Sequence, residues 1–142
     1  MNIISPIALD RRVLDLLVAS GLPIEDLEDD VPRLYAGAEE EGRLIGVVAI
    51  EMHGNVGLLR SLSVRPDARG MGLSLALIDA GERLAAEAGI AKLFLLTTTA
   101  APLFERCGYA LTPRANAPDA IRSTRQFSGM CPSSASFMSK TI

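Results

Sequence analysis

The stretch LSVRPDARGMGLSLAL, residues 62–77, decides the fold. A strand-like apolar run ends at Pro66. A short loop follows with Arg69, Gly70 and Gly72, and then apolar residues recur at helical spacing. A helix start presents unpaired N–H groups and a partial positive charge. Glycines let a ligand approach the backbone closely. An arginine adds a fixed charge and a fork of donors suited to phosphate. Together they describe an anion site, most simply for a phosphate or pyrophosphate. The other reading is a plain strand-to-helix turn whose glycines serve geometry alone. No Gly-Lys-Ser/Thr follows, so this is not a Walker loop, and the glycine spacing does not fit a dinucleotide fingerprint.

Working outward, residues 72–89 carry Leu73, Leu77, Ala80, Leu84 and Ala88 on one stripe, which predicts an amphipathic helix closed by Gly89. The following KLFLLTTT is an apolar run of strand length, expected to be central and buried on both faces. Strand, helix, strand makes a parallel crossover. Upstream, residues 33–64 read as three strands with turns near Glu41-Gly42 and Gly54-Asn55, and short turns make neighbours antiparallel. Residues 3–5 are β-like, Leu9 to Ser20 has helical spacing, and Pro23 to Asp29 suggests a second, short, acidic helix. Downstream, APLFERCG predicts a short helix, YALT a strand, Arg114 to Gln126 a polar loop with one helical turn, and ASFMSK a last strand. The fold class is therefore α+β: a mixed sheet, antiparallel at the start and parallel in the middle.

Bulk properties narrow the function. A chain of 142 residues that is 49% apolar fits one compact domain spanning 1–142, with a real core. The net charge of -3 and 4% aromatics argue against nucleic acid as a partner. No run of 18 apolar residues exists, so no membrane span is expected. Residues 1–12 lack the blocks of a signal peptide, so the expectation is a cytoplasmic protein. Cys107 and Cys131 form no metal-spacing motif. They are read as reduced thiols that pack as small hydrophobes, and no metal is expected.

Residues 62–74 resemble the acyl-CoA loop of the GCN5-related N-acetyltransferases. That pattern is Arg or Gln, two residues, Gly, one residue, then Gly or Ala, and Arg69, Gly72 and Ser74 fill it, with serine as the departure. Leu62, Val64 and Pro66 match the run before the loop, and TTTAAPLFERCGY is similar to the family's later segment. The resemblance covers nearly the whole chain. Residues 95–109, with the segment from Ala120 to Met138, also resemble the small acetyltransferases encoded in arsenic-resistance operons.

The resemblance implies a mixed, mostly antiparallel twisted sheet flanked by helices, and acetyl-CoA as co-substrate. It implies that a small-molecule amine is acetylated by direct transfer, with an amino-acid-like arsenical or phosphinic acid as a candidate acceptor in detoxification. Polyamine or protein amines, or a non-catalytic acyl-CoA sensor, are the alternatives. Dimers are common in the family, so a homodimer is one expectation. Carried over residue by residue, the pyrophosphate falls to Arg69, Gly70, Met71, Gly72, Leu73 and Ser74. The pantetheine arm falls to Leu62 and Val64, with the thioester in a gap between that strand and KLFLLTTT. Thr97 and Phe104 join the cofactor set, standing where many relatives carry Asn and a Tyr acid.

Relatives often carry a carboxylate at the positions of Arg60 or Ser61, and this chain has none there. The amine must still lose a proton and the leaving thiolate gain one. Glu51 and His53, which alternation places on one face of a strand end, are candidate bases, and each also reads as a solvated strand end. Water, Tyr109 or no group at all could serve as the acid. Period two places Val56, Leu58, Arg60, Leu62 and Val64 on one face. An arginine in that row needs an anionic partner, either a substrate carboxylate or a structural acid. Arg60 and Ser61 are therefore the candidate acceptor residues.

Overall fold

The structure is a computed structural model and describes residues 3–27, 29–70, 72–130 and 134–142. Its strands are β1 (Ile3–Ile7), β2 (Arg33–Glu40), β3 (Arg43–His53), β4 (Val56–Val64), β5 (Lys92–Thr97), β6 (Ala110–Leu111) and β7 (Ser136–Thr141). Its α-helices are α1 (Arg11–Ala19), α2 (Leu73–Glu87), α3 (Ala101–Arg106) and α4 (Asp119–Arg122). The strands form one sheet in the order β1-β2-β3-β4-β5-β7-β6. Every pairing is antiparallel except β4 with β5, which α2 joins as the expected crossover.

Alternation along β3 divides the core. Val48 and Ile50 face α2 and pack with Leu59, Leu77, Ile78 and Leu93. Val47 and Ala49 face α1 and pack with Val13 and Leu17. Each fully buried Leu, Val or Ile contributes roughly 1.5–3 kcal/mol. The helix α1 starts where the Asp10 side chain accepts the Val13 N–H at 3.2 Å. Gly46 lets α2 lie close to the sheet, since a Cβ there would meet Leu77 Cδ1 at 2.7 Å.

Several expectations are corrected. Residues 25–27 form a turn rather than a helix: the Asp26 carboxylate is buried against Arg60 and Arg33, and the exposed Asp29 beyond it pairs with Arg33. The polar segment 114–126 holds more structure than one turn: a 3₁₀ turn at Arg114–Asn116, α4, and a π-helical turn at Gln126–Met130. Its anchor is Ile121, fully buried against Leu58, Phe94 and Phe137. The final strand inserts between β5 and β6.

The single face proposed for β4 is also corrected. Ser63 lies opposite Val47 and Arg60 opposite Ala49, so Ser61 and Leu62 together face one residue of β3. Ser61 takes the left-handed conformation, φ 59°. This bulge resets the alternation. Arg60 shares the α1 face with its partner Ala49, whereas Leu62 and Val64 pack in the α2 core.

Candidate active site

Bulge and crossover together open the sheet. β4 and β5 pair only from Val56–Leu58 to Lys92–Phe94. Beyond those three pairs the strands part. The backbone of β4 from Leu59 onward then has β3 on one side and a cavity of about 410 Å³ on the other. Unpaired strand backbone is a row of donors and acceptors for an extended ligand. Leu59 to Leu62, Leu95 to Ala100 and Phe104 line this cavity, with Gly21 to Pro23 and Gln126 at its far wall. The Thr97 hydroxyl accepts the Ala100 N–H at 3.0 Å, which ends β5 and starts α3.

The loop after β4 forms a second hollow of about 340 Å³, lined by Val64, Arg69, Gly70, Gly72, Leu73, Ser74 and, from α3, Leu103 and Arg106. Gly70 (φ 85°) and Gly72 (φ 71°) are left-handed, with open space where a Cβ would stand. The first bond inside α2 runs from Ala76 N–H to Gly72 C=O, and no side chain caps the helix. The N–H groups of the first turn therefore have no intrahelical partner. Arg69 Nε donates to Val64 C=O at 3.1 Å and ties the loop to the strand end. These residues fit a diphosphate. The helix α3 borders both spaces, the cavity through Phe104 and the hollow through Leu103 and Arg106. Met71 lies outside the described residues, as does Cys131.

The candidate acid and base residues lie elsewhere. Glu51 is buried on the α1 face. Its Oε2 accepts from Arg60 Nη1 at 2.9 Å and Arg33 Nε at 3.1 Å, and its Oε1 meets His53 Nε2 at 2.9 Å. Glu51 and His53 thus share the face that alternation assigned them, inside an ion network and outside the lining of the cavity. The Arg60 side chain is fully buried. It grips Asp26 with both terminal nitrogens, donates to the Pro23 C=O at 3.4 Å, and offers Nε to the Ser61 hydroxyl at 3.3 Å. Its five donors are directed at protein, so the anionic partner the sequence demanded is structural. Burial works to raise the Asp26 carboxyl, and Arg60 and Arg33 override it, holding its pKa below the ordinary value.

Tyr109 packs edge-on behind Phe104, ring centroids 5.6 Å apart, and does not line the cavity. Its hydroxyl is buried without a partner among the described residues, and burial with the nearby Glu82 pushes its pKa up. Burial and Glu82 likewise raise the Cys107 thiol, which works against a reactive thiolate.

Sequence reasoning missed Asp26, Arg33, Arg106 and Gln126. Arg106 could have been found from its place one turn after Leu103 on a short helix. Pairing of Asp26 with Arg60, 34 residues apart, leaves no local signal. Among the described residues no cluster of His, Cys, Asp and Glu could hold a metal ion, and no helix is long and apolar enough to cross a membrane.

Solved structures share this fold. The N-acetylglutamate synthase of Neisseria gonorrhoeae, complexed with coenzyme A and N-acetyl-glutamate, superposes with a TM-score of 0.78 at 20% identity over 98% of the chain. The chain spans only 35% of the length of that synthase. A putative acyl-CoA N-acyltransferase from Klebsiella pneumoniae gives a TM-score of 0.77 at 23% identity, covering 99% of this chain and 97% of that one. The PaiA N-acetyltransferase of Thermoplasma acidophilum, in complex with coenzyme A, gives 0.67 at 15% identity over 99% of both chains. Residues 10–109 match the family model of the acetyltransferase (GNAT) family.

Proposed function

The chain belongs to the acetyltransferase (GNAT) family, and from that premise we propose that it transfers the acetyl group of acetyl-CoA to the primary amine of a small, amino-acid-like acceptor. The observation that carries this reading is the parting of β4 from β5 beside a cavity, with α3 lining both that cavity and the hollow at the glycine loop. The N–H groups at the start of α2, with Arg69 and Arg106, hold the diphosphate. The free backbone edge of β4 from Leu59 to Val64 pairs with the amides of the pantetheine arm. Acetyl-CoA supplies an activated thioester in the split. The acceptor enters from the side of Gly21 to Pro23.

Glu51, His53 and Tyr109 are held away from the split, so water is the proton acceptor in this reading. A thiolate whose acid has a pKa of roughly 8.5 leaves without a strong protein acid. An arsenic- or phosphorus-bearing amino acid is the finer acceptor proposal, and the resemblance of the C-terminal half supports it.

The test is thiol release from acetyl-CoA against L-glutamate, L-methionine, an arsonate or phosphinate amino acid, spermidine and a short peptide. Turnover of an amino acid is expected. Arg69→Ala should weaken acetyl-CoA binding about tenfold in calorimetry, the share of one charged hydrogen bond, with the melting temperature unchanged. No thiol release, with acetyl-CoA still raising the melting temperature, would replace the enzyme with an acyl-CoA sensor.

A further inference from the structure

Gln126 stands out at the far wall of the cavity. It is only 6% exposed and lines the space between the parted strands. None of the side-chain hydrogen bonds among the described residues involves it. Other polar side chains of the lining are committed: the buried Arg60 to Asp26 and Glu51, the buried Ser61 to Arg60, and the partly buried Thr97 to the Ala100 N–H. An amide that lines a cavity and makes no side-chain hydrogen bond to another described residue can donate to and accept from a molecule that enters the cavity.

The backbone that presents it is held rigidly. Gln126 opens the π-helical turn Gln126–Met130, a geometry that re-aims side chains and recurs at functional sites. Thr124 Oγ1 donates to Ile121 C=O at 2.7 Å and accepts the Phe127 N–H at 3.2 Å. The Phe127 ring packs edge-on to Phe137 at 5.2 Å. Bonds and packing thus fix the residues on either side of Gln126, which is the preorganisation that recognition requires.

We infer that Gln126 is the residue that reads the acceptor, hydrogen-bonding an uncharged or anionic polar group beside the acceptor's amine. The inference rests on the acetyl-transfer reading and narrows its substrate class. Asp26 and Glu51, the carboxylates that meet the cavity-lining Arg60, are spent on Arg33 and Arg60, and no carboxylate lines the cavity itself. The second ammonium of a polyamine would enter without a counter-charge, which is costly in a desolvated space. The –NH₂ of Gln126 suits a carboxylate or oxyacid oxygen, and its C=O suits a hydroxyl or amide.

The experiment has two readouts. In the first, wild type, Gln126→Leu and Gln126→Glu are assayed by thiol release with L-glutamate, L-glutamine and spermidine. Gln126→Leu should raise KM for the amino acids about tenfold while acetyl-CoA affinity in calorimetry stays constant. Gln126→Glu should cut kcat/KM for L-glutamate further and bring it up for spermidine. In the second, L-glutamate and L-glutamine are titrated into ¹⁵N-labelled wild-type protein saturated with coenzyme A. The Gln126 side-chain amide pair, identified by its loss in Gln126→Leu, should shift. An unchanged KM in Gln126→Leu overturns the inference, as does an amide pair that stays still while the amino acid saturates the protein. Thiol release absent for every amine overturns the acetyl-transfer reading alone if the amide pair still shifts, and both readings if it does not.

Discussion

Arg60 shows how one residue is decided by its partners. Its charge was visible, and so was the need for an anion, but two kinds of anion satisfied the same pattern. The structure gives it Asp26 and Glu51, both buried beside it. Breaking a buried pair from one side leaves charge uncompensated and costs about 3–5 kcal/mol. Arg60→Ala should therefore lower stability by about that amount in urea unfolding, and raise KM for neutral and acidic acceptors alike. Full stability with a KM defect confined to acidic acceptors would show instead that Arg60 turns to the substrate. The same contacts govern Glu51, whose carboxylate is shared between two guanidinium groups and His53.

At the scale of the element, β4 changes face midway. Its apolar spacing reads as one uninterrupted strand because a bulge adds a residue without changing composition. Ser61 is an ordinary residue for a strand, and the register shift against β3 and its φ of 59° reveal the bulge. The bulge sends Arg60 into the ion network and Leu62 into the opposite core, beside the region where β4 leaves β5. A β-branched side chain tolerates the left-handed region poorly. Ser61→Val should cost about 1–2 kcal/mol in thermal unfolding and weaken acetyl-CoA binding, whereas Ser61→Gly should retain both. Equal behaviour of the two variants would show that the left-handed turn is not what holds the strand apart. By contrast, α2 was legible almost to its ends, because a 3.6-residue apolar stripe between glycines is a local pattern.

For the whole molecule, the buried ions tie the turn after α1 to the middle of the sheet, and pH should report on them. Asp26 and Asp29 are held below the ordinary aspartate pKa of 3.8. At Asp26 burial opposes the arginines and loses; at Asp29 the Arg33 hydrogen bond leads. A depressed folded-state pKa contributes stability above the unfolded value, and that stability is lost as pH falls through the folded one. The melting temperature should fall steeply below about pH 4, and more gently in Asp26→Asn, which is already less stable at neutral pH. Parallel curves for the two proteins would show that Asp26 does not carry the acid response. The sequence by itself determined most of the element order, the parallel crossover and the glycine loop before α2, because those depend on periodicity, turn chemistry and helix ends within short windows. Only the tertiary structure decided which acids meet Arg60, that Tyr109 lies behind Phe104, and that Gln126 reaches the cavity. Those facts depend on a one-residue bulge and on contacts between distant segments, which no local pattern encodes.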